Sequence, residues 1–389
     1  MTGLNGHRVY LDWNATAPLR PEARTAMLGA MDVVGNPSSV HAEGRAAKAI
    51  VERARGQVAA LVGSEPDQVV FTSGATEANL LRFRQVPVDI AYLSPLLHPS
   101  AHEPLEQMLD VAEVDDNATL RLVHLTRDHD VYDLVEFNSP NAFDNSLVVL
   151  TAADGETGIK PDVLAILEKL HGPEPRSCLV DVTQLVGKAR MDGGLAQDWR
   201  RPSLSLSGHK LGGPKGIGAT INPVGSSLFT GGGQEKGRRS GTENVIGIAG
   251  FGAAAEAAKR DLEENVWDGV ERLRNILENS LAEAAPDTIF FGQDDDRLPN
   301  TSCFAVPGWM GETQVMQMDL AGFAVSAGSA CSSGKVNKAS RVLMAMGFDE
   351  ITASSAIRVS MGPTVTEAEV LAFAEAWTNA YRRRQARAA

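Results

Sequence analysis

Short, wholly apolar runs separated by helix-patterned stretches constrain this chain more than any other feature. Gln68-Val69-Val70-Phe71-Thr72, Ile90-Ala91-Tyr92-Leu93, Leu147-Val148-Val149-Leu150 and Cys178-Leu179-Val180-Asp181-Val182 lack the polar alternation of a strand with one wet face, so they read as strands buried on both sides. Between residues 41 and 62, Ala46, Ala47, Ala49, Ile50, Val51, Ala54, Val58, Leu61 and Val62 recur at helical spacing, and Gly63 ends the pattern. Val163-Leu164-Ala165-Ile166-Leu167 is helical material between two of the strands. Strands alternating with helices predict an α/β fold with a mainly parallel sheet between helices. The stretch from about 85 to 146 is less regular, and its strands are placed only loosely.

After Gly247-Ile248-Ala249-Gly250-Phe251-Gly252, the spacing of Leu262, Val266, Val270, Leu273, Leu277 and Leu281 predicts one long amphipathic helix. Strands are expected at 301–306, 324–326 and 356–360, with a closing helix from about 367 to 382. This remainder reads as a smaller α+β domain. The expected division is an N-terminal segment 1–20, a large domain 21–260 and a small domain 261–389; 389 residues are ample for both cores.

A net charge of −13, with no basic run before Arg382-Arg383-Arg384, argues against a nucleic-acid-binding surface. The start, Met1-Thr2-Gly3-Leu4-Asn5-Gly6, has no charged-then-apolar signal pattern, and no apolar run approaches a membrane span. A cytoplasmic location with no membrane partner is expected. The three cysteines, Cys178, Cys303 and Cys331, include no Cys-x-x-Cys pair, so neither a disulfide framework nor a metal site is expected. Cys178 and Cys303 sit in strand-like runs and read as small core hydrophobes. Cys331, in Ser329-Ala330-Cys331-Ser332-Ser333-Gly334, has small and polar neighbours and reads as a loop thiol available for chemistry.

Ser205-Leu206-Ser207-Gly208-His209-Lys210 ends in a lysine between small residues. A desolvated lysine amine is a nucleophile able to hold an aldehyde, although most lysines are solvated surface charges. Ser73-Gly74-Ala75-Thr76-Glu77 combines small residues with a helix start and suits a phosphate, unless it is only a connection. Asp181 stands at the carboxyl end of an apolar strand, facing a cation or capping a helix. His98, before Pro99, could stack on a ring or move protons, or be structural. Arg358, between Ile357 and Val359, suits a carboxylate, the competing reading being a salt bridge. Together these are the parts expected for pyridoxal phosphate and an amino acid.

The chain closely resembles the cysteine desulfurases of the class V aminotransferase family. The likeness rests on Leu11-Asp12-Trp13-Asn14-Ala15-Thr16, Asn36-Pro37-Ser38-Ser39-Val40-His41, Phe71 to Glu77, Asp181-Val182-Thr183-Gln184, Ser205 to Lys210, Gly231 to Asn244, Arg297-Leu298-Pro299-Asn300-Thr301 and Gly328 to Gly334. It implies a pyridoxal-phosphate transferase of type I fold. Lys210 would hold the cofactor as a Schiff base, Asp181 pair with the pyridine nitrogen, Gln184 bond the phenolic oxygen and His98 stack on the ring. Ala75, Thr76, Ser207, Gly208 and His209 would surround the phosphate. In a homodimer with shared sites, Thr242 would reach the phosphate of the partner's cofactor.

The resemblance further implies that Arg358, with Asn36, binds the carboxylate of L-cysteine, and that Cys331 takes the sulfur as a persulfide. The Cys331 setting lacks a basic Arg-x-Gly-His lead-in and resembles the group with a long, mobile catalytic loop. Lys210 and His98 are the expected proton carriers. A sulfur acceptor or scaffold protein of iron–sulfur or other thio-cofactor assembly is the expected partner. Two departures stand out. The usual Asn-Asn-Glu-Thr-Gly is here Asp154-Gly155-Glu156-Thr157-Gly158, so Gly155 brings no side chain to the cofactor or substrate, and the stretch from Leu81 to Leu93 looks shortened. The alternatives are a selenocysteine lyase or other carbon–sulfur lyase, and a degenerate dimeric scaffold for sulfur-transfer partners.

Overall fold

The computed structural model describes residues 7–85, 90–114, 121–124, 126–128, 131–133, 146–170, 177–191, 195–196, 202–223, 231–328 and 339–388. They form two units. The larger comprises Pro18–Ala153 and Pro161–Leu262; the smaller comprises the chain up to Ala17, Asp154–Lys160 and Glu263 onward.

In the larger unit the apolar runs become the middle of a seven-stranded sheet, because a strand without a polar face must be covered on both sides. Its order is Val69–Thr72, Gly218–Ile221, Ser203–Ser207, Ser177–Asp181, Ser146–Thr151, Ile90–Leu93 and Arg121–His124. Only Gly218–Ile221 runs antiparallel to its neighbours. Helices Ala75–Gln85 and Pro99–Val114 supply Phe83, Ala101 and Leu105 to a cluster with Leu93, Leu147, Val149 and Leu179, all at most 1% exposed. Each such large side chain contributes roughly 1.5–3 kcal/mol by leaving water. This core holds the strand ends in fixed positions.

The helix read from residues 41–62 is Ala42–Val62. His41 caps it by accepting the Gly44 N–H, and Gly63 closes it at φ 68°, a left-handed conformation that favours glycine. Further along, the expected single amphipathic helix is two. Val245–Glu263 ends just after Leu262, and Val266–Ala284 begins after Asn265, whose φ of 55° no helix interior accepts. Periodicity carried across the break because the two apolar stripes are nearly in phase.

The smaller unit has an antiparallel sheet in the order Ile289–Phe290, Thr301–Ala305, Ala356–Ser360 and Ser326–Ala327. The strand expected at 324–326 is instead two. Phe323–Ala324 pairs in parallel with Val9–Tyr10, while Ser326–Ala327 pairs with Ala356–Ser360. A short apolar run cannot reveal that its two halves join different sheets. Trp377 of the closing helix Glu367–Ala388 packs edge-on to Phe304 at 5.5 Å, and its indole N–H donates to buried Gln314. Among the described residues no helix is long and apolar enough to cross a membrane.

Candidate active site

The parallel strands of the larger unit end at one edge of the sheet, where polar residues follow each apolar run. After Val69–Thr72 the chain turns at Gly74 into helix Ala75–Gln85, so the first helical N–H groups, including those of Ala75 and Thr76, point to that edge. The turn is fixed by contact: a Cβ on Gly218 would lie 2.6 Å from Gly74 Cα and 2.5 Å from the Leu206 carbonyl oxygen. A Cβ on Gly74 would lie 3.7 Å from Ser207 Oγ, so Ser207 and the helix start border one space. Glu77 accepts the Ser73 N–H and an Arg239 N–H at 2.9 Å. Burial pushes the Glu77 carboxyl up, but these hydrogen bonds prevail and hold it below its usual range.

Asp181 closes its strand 6% exposed, with Oδ1 accepting the Thr183 N–H at 2.9 Å. Three residues on, the half-buried Gln184 accepts from Lys188 Nζ at 2.6 Å, an i, i+4 contact that orients the amide. The Ser203–Ser207 strand runs into a single tight turn, Gly208–Lys210. Gly208 is required there, since a Cβ would press on Ile217 and Phe251 at 3.0 Å. His209 and Lys210 are half-buried beyond it. Burial, and then the charges of Lys210, Lys215 and Lys188, lower the His209 pKa to about 4. The imidazole is therefore neutral at pH 7 amid three ammonium groups, next to a helix start. That is a donor set suited to a phosphate dianion, and Asp181, on the adjacent strand, is a buried carboxylate suited to a protonated ring nitrogen. The residues present fit pyridoxal phosphate.

His98 lies five residues past the Ile90–Leu93 strand, exposed, and its Nδ1 accepts the Ser100 N–H at 3.1 Å. It therefore begins helix Pro99–Val114, and in this tautomer its proton is on Nε2. Asn36 is exposed in its turn, with Oδ1 accepting the Ser38 N–H. Thr242 is exposed in the stretch after Gln234–Gly237. Gln234 links the two stretches, donating to Ser38 at 3.4 Å and accepting the Gly241 N–H at 3.2 Å. Buried Glu235 anchors them to the sheet through Arg55, at 2.8 and 2.9 Å, and the Phe71 N–H.

In the smaller unit Arg358 is held mid-strand. Its Nη2 donates to Asp12 at 2.7 Å and its Nη1 to the Gly155 carbonyl at 2.9 Å. Asn14 donates to the same carbonyl at 3.1 Å and to Thr301 at 2.8 Å, and accepts from Asn300 at 3.0 Å. The Gly155 backbone is thus fixed although it has no side chain. Of the two readings of Arg358, the salt bridge is present, made to Asp12 at 2.7 Å within a polar cluster.

Cys331 and its flanking motif lie outside the described residues. Among the described residues, Cys178 and Cys303 are buried and form no disulfide, and no group of three or more metal-ligating side chains occurs. Lys188, Lys215, Arg239 and Glu156 take part in these clusters but were not singled out from the sequence. Only Lys188, at i+4 from Gln184, carried a local signal.

The aminotransferase class-V family model matches residues 9–373. A cysteine desulfurase of Cereibacter sphaeroides is 36% identical over 369 residues, 93% of each chain. The human cysteine desulfurase is 33% identical over 93% of this chain and 79% of its own. The solved structure of a NifS-like protein from Rickettsia africae superposes with a TM-score of 0.82 at 29% identity, covering 97% of this chain and all of that one. A match across this length, on the same α/β architecture, establishes that the chain belongs to the class-V aminotransferase family.

Proposed function

We propose that this protein is a pyridoxal-phosphate-dependent cysteine desulfurase, converting L-cysteine to L-alanine and retaining the sulfur on Cys331 as a persulfide. The observation that carries this reading is the cluster of Lys210, neutral His209 and buried Asp181 at one sheet edge. The relatives named cysteine desulfurase support the choice of substrate. What pyridoxal phosphate supplies when bound is an electron sink for the charge left on the substrate's α-carbon.

The chain's own residues do the rest. Lys210 would hold the aldehyde end and, once free, would take the substrate's α-proton on Nζ. Asp181 would keep a proton on the ring nitrogen, and Gln184, oriented by Lys188, would bond the phenolic oxygen. Ala75, Thr76, Ser207, Gly208 and His209 would line the phosphate, with neutral His209 donating a hydrogen bond. His98 would stack on the ring and could pass its Nε2 proton. Arg358, pre-set by Asp12, takes the substrate carboxylate with Asn36.

The Cys331 thiolate attacks the substrate sulfur. An S–S bond forms and the substrate C–S bond breaks, its electron pair staying with carbon, which takes up a proton to become alanine. Cysteine plus thiol gives alanine plus persulfide, so no outside oxidant is needed. The protein acts as a homodimer in which Thr242 reaches the partner's cofactor phosphate, and passes sulfur in the cytoplasm to an acceptor or scaffold of iron–sulfur assembly.

The test is to load the purified protein with pyridoxal phosphate, add L-cysteine, and measure alanine together with the mass of the Cys331 peptide. Alanine and a gain of one sulfur atom on that peptide are expected, both lost in Cys331→Ala. Sulfide release unchanged in Cys331→Ala would remove Cys331 from the mechanism. A protein that binds no cofactor would be a scaffold, and one that turns over only L-selenocysteine a selenocysteine lyase.

A further inference from the structure

Two consecutive residues of the turn Asp154–Gly158 serve different structures. The Gly155 carbonyl receives Arg358 and Asn14. The Glu156 side chain instead lies against Gly328: a Cβ placed there would overlap Glu156 Oε1 and stand 3.2 Å from its Cδ. The carboxyl thus fills the space a side chain at 328 would need, which only glycine leaves open. Glu156 Oε1 is shielded from solvent and has no hydrogen-bond partner. The same carboxyl also bonds Ser340, whose Oγ accepts the Leu343 N–H at 3.1 Å and starts helix Arg341–Ala345. Gly328 and Ser340 stand on either side of residues 329–338, which include Cys331.

We propose that Glu156 is a positioning residue for sulfur transfer, bracing both flanks of the Cys331 segment on the turn whose Gly155 carbonyl orients Arg358. Substrate-carboxylate binding and thiol delivery then share one anchor. The proposal rests on the desulfurase reading, and it gives residues 154–158 a task beyond the contact that a side chain at 155 would make.

The charges around Glu156 agree with this role. Burial, and then the neighbouring Asp154 carboxylate, raise its pKa to about 8, against the Ser340 hydrogen bond and the Arg358 and Arg341 guanidiniums, which lower it. Cys303 also faces it, its thiol raised by burial and then by the charges of Glu156 and Asp154. At pH 7 the carboxyl carries a proton, so it can lie on the Gly328 backbone without burying a charge. Above pH 8 ionisation places a second negative charge beside Asp154 and loosens the brace.

The test compares wild-type holoenzyme with Glu156→Ala and Glu156→Gln by two readouts. One is the rate at which the Cys331 peptide gains sulfur from L-cysteine. The other is exchange of the α-hydrogen of L-alanine in deuterated water, which needs Lys210 but no sulfur transfer. Glu156→Ala is expected to slow sulfur gain ~10- to 100-fold, as displaced reacting groups do, while exchange stays within about twofold. Glu156→Gln, similar in shape and neutral, restores most of the rate at pH 7 and removes the fall expected above pH 8. An unchanged rate of sulfur gain in Glu156→Ala overturns the proposal, as does a parallel loss of both readouts in both variants. A wild-type protein that exchanges alanine but gains no sulfur at Cys331 defeats the desulfurase reading, and the proposal with it.

Discussion

The sheet edge around His209 and the strand site around Arg358 both concentrate positive charge, yet they treat it in opposite ways. At the sheet edge, burial and then the charges of three lysines lower the His209 pKa. At the strand site, Arg358 is met by the Asp12 carboxylate and a backbone carbonyl. The first arrangement leaves a field for a dianionic group to neutralise; the second is already balanced and fixes direction. A guanidinium braced on one side presents a defined edge, whereas lysines act as point charges that need no preset geometry.

The largest effects should come from groups at the sheet edge that take part in bond making. Lys210→Ala is expected to lower alanine formation by at least ~10³-fold, since it removes the amine proposed to move the α-proton. Activity within tenfold of wild type would show that another base serves. Asp181→Asn should cost ~10²-fold or more in kcat while the protein still binds cofactor, measured by retention of the visible absorption band after gel filtration. At the strand site the expected signature is different. Arg358→Lys should raise KM for L-cysteine ~10- to 100-fold with kcat nearly unchanged, and Asp12→Asn should raise it less, because Asp12 orients the fork without touching substrate. Equal losses in kcat at both places would erase the contrast between supplying and orienting charge.

The smallest effect concerns His209 in cofactor-free protein. Its pKa in the fold is lowered, so the unfolded chain binds a proton more readily. Its stabilising contribution is complete above the ordinary histidine value near 6.5 and is lost as pH falls from there towards 4. The midpoint of thermal unfolding should fall across that window, and His209→Asn should flatten the slope. A slope unchanged in the variant would mean that other groups dominate.

Much of this was legible from one dimension. Runs such as Leu147 to Leu150 have no polar face, and a strand of that kind must be covered on both sides, which dictates the α/β layers. Gly63 announced its helix stop for an equally local reason. Asn265 did not, because its left-handed turn interrupts two helices whose stripes line up, and the run at 323–327 gave no sign that its halves pair with different strands. Lys210, Asp181 and Arg358 stood out because each places a charge beside an apolar strand. Glu156 did not stand out, since its neighbours Gly328 and Ser340 are far along the chain.

By itself, then, the sequence determined the layers, the strand ends and the residue types able to hold a cofactor and an amino acid, because those follow from periodicity and from the cost of burying charge. Only the tertiary structure decided which charges meet. That His209 is kept neutral by burial and then by the charges of Lys210, Lys215 and Lys188, that Arg358 is held by Asp12 from 346 residues away, and that Gly155 and Glu156 face different partners depend on packing between distant segments. Electrostatic energy depends on distance in space, and separation along the chain does not fix it.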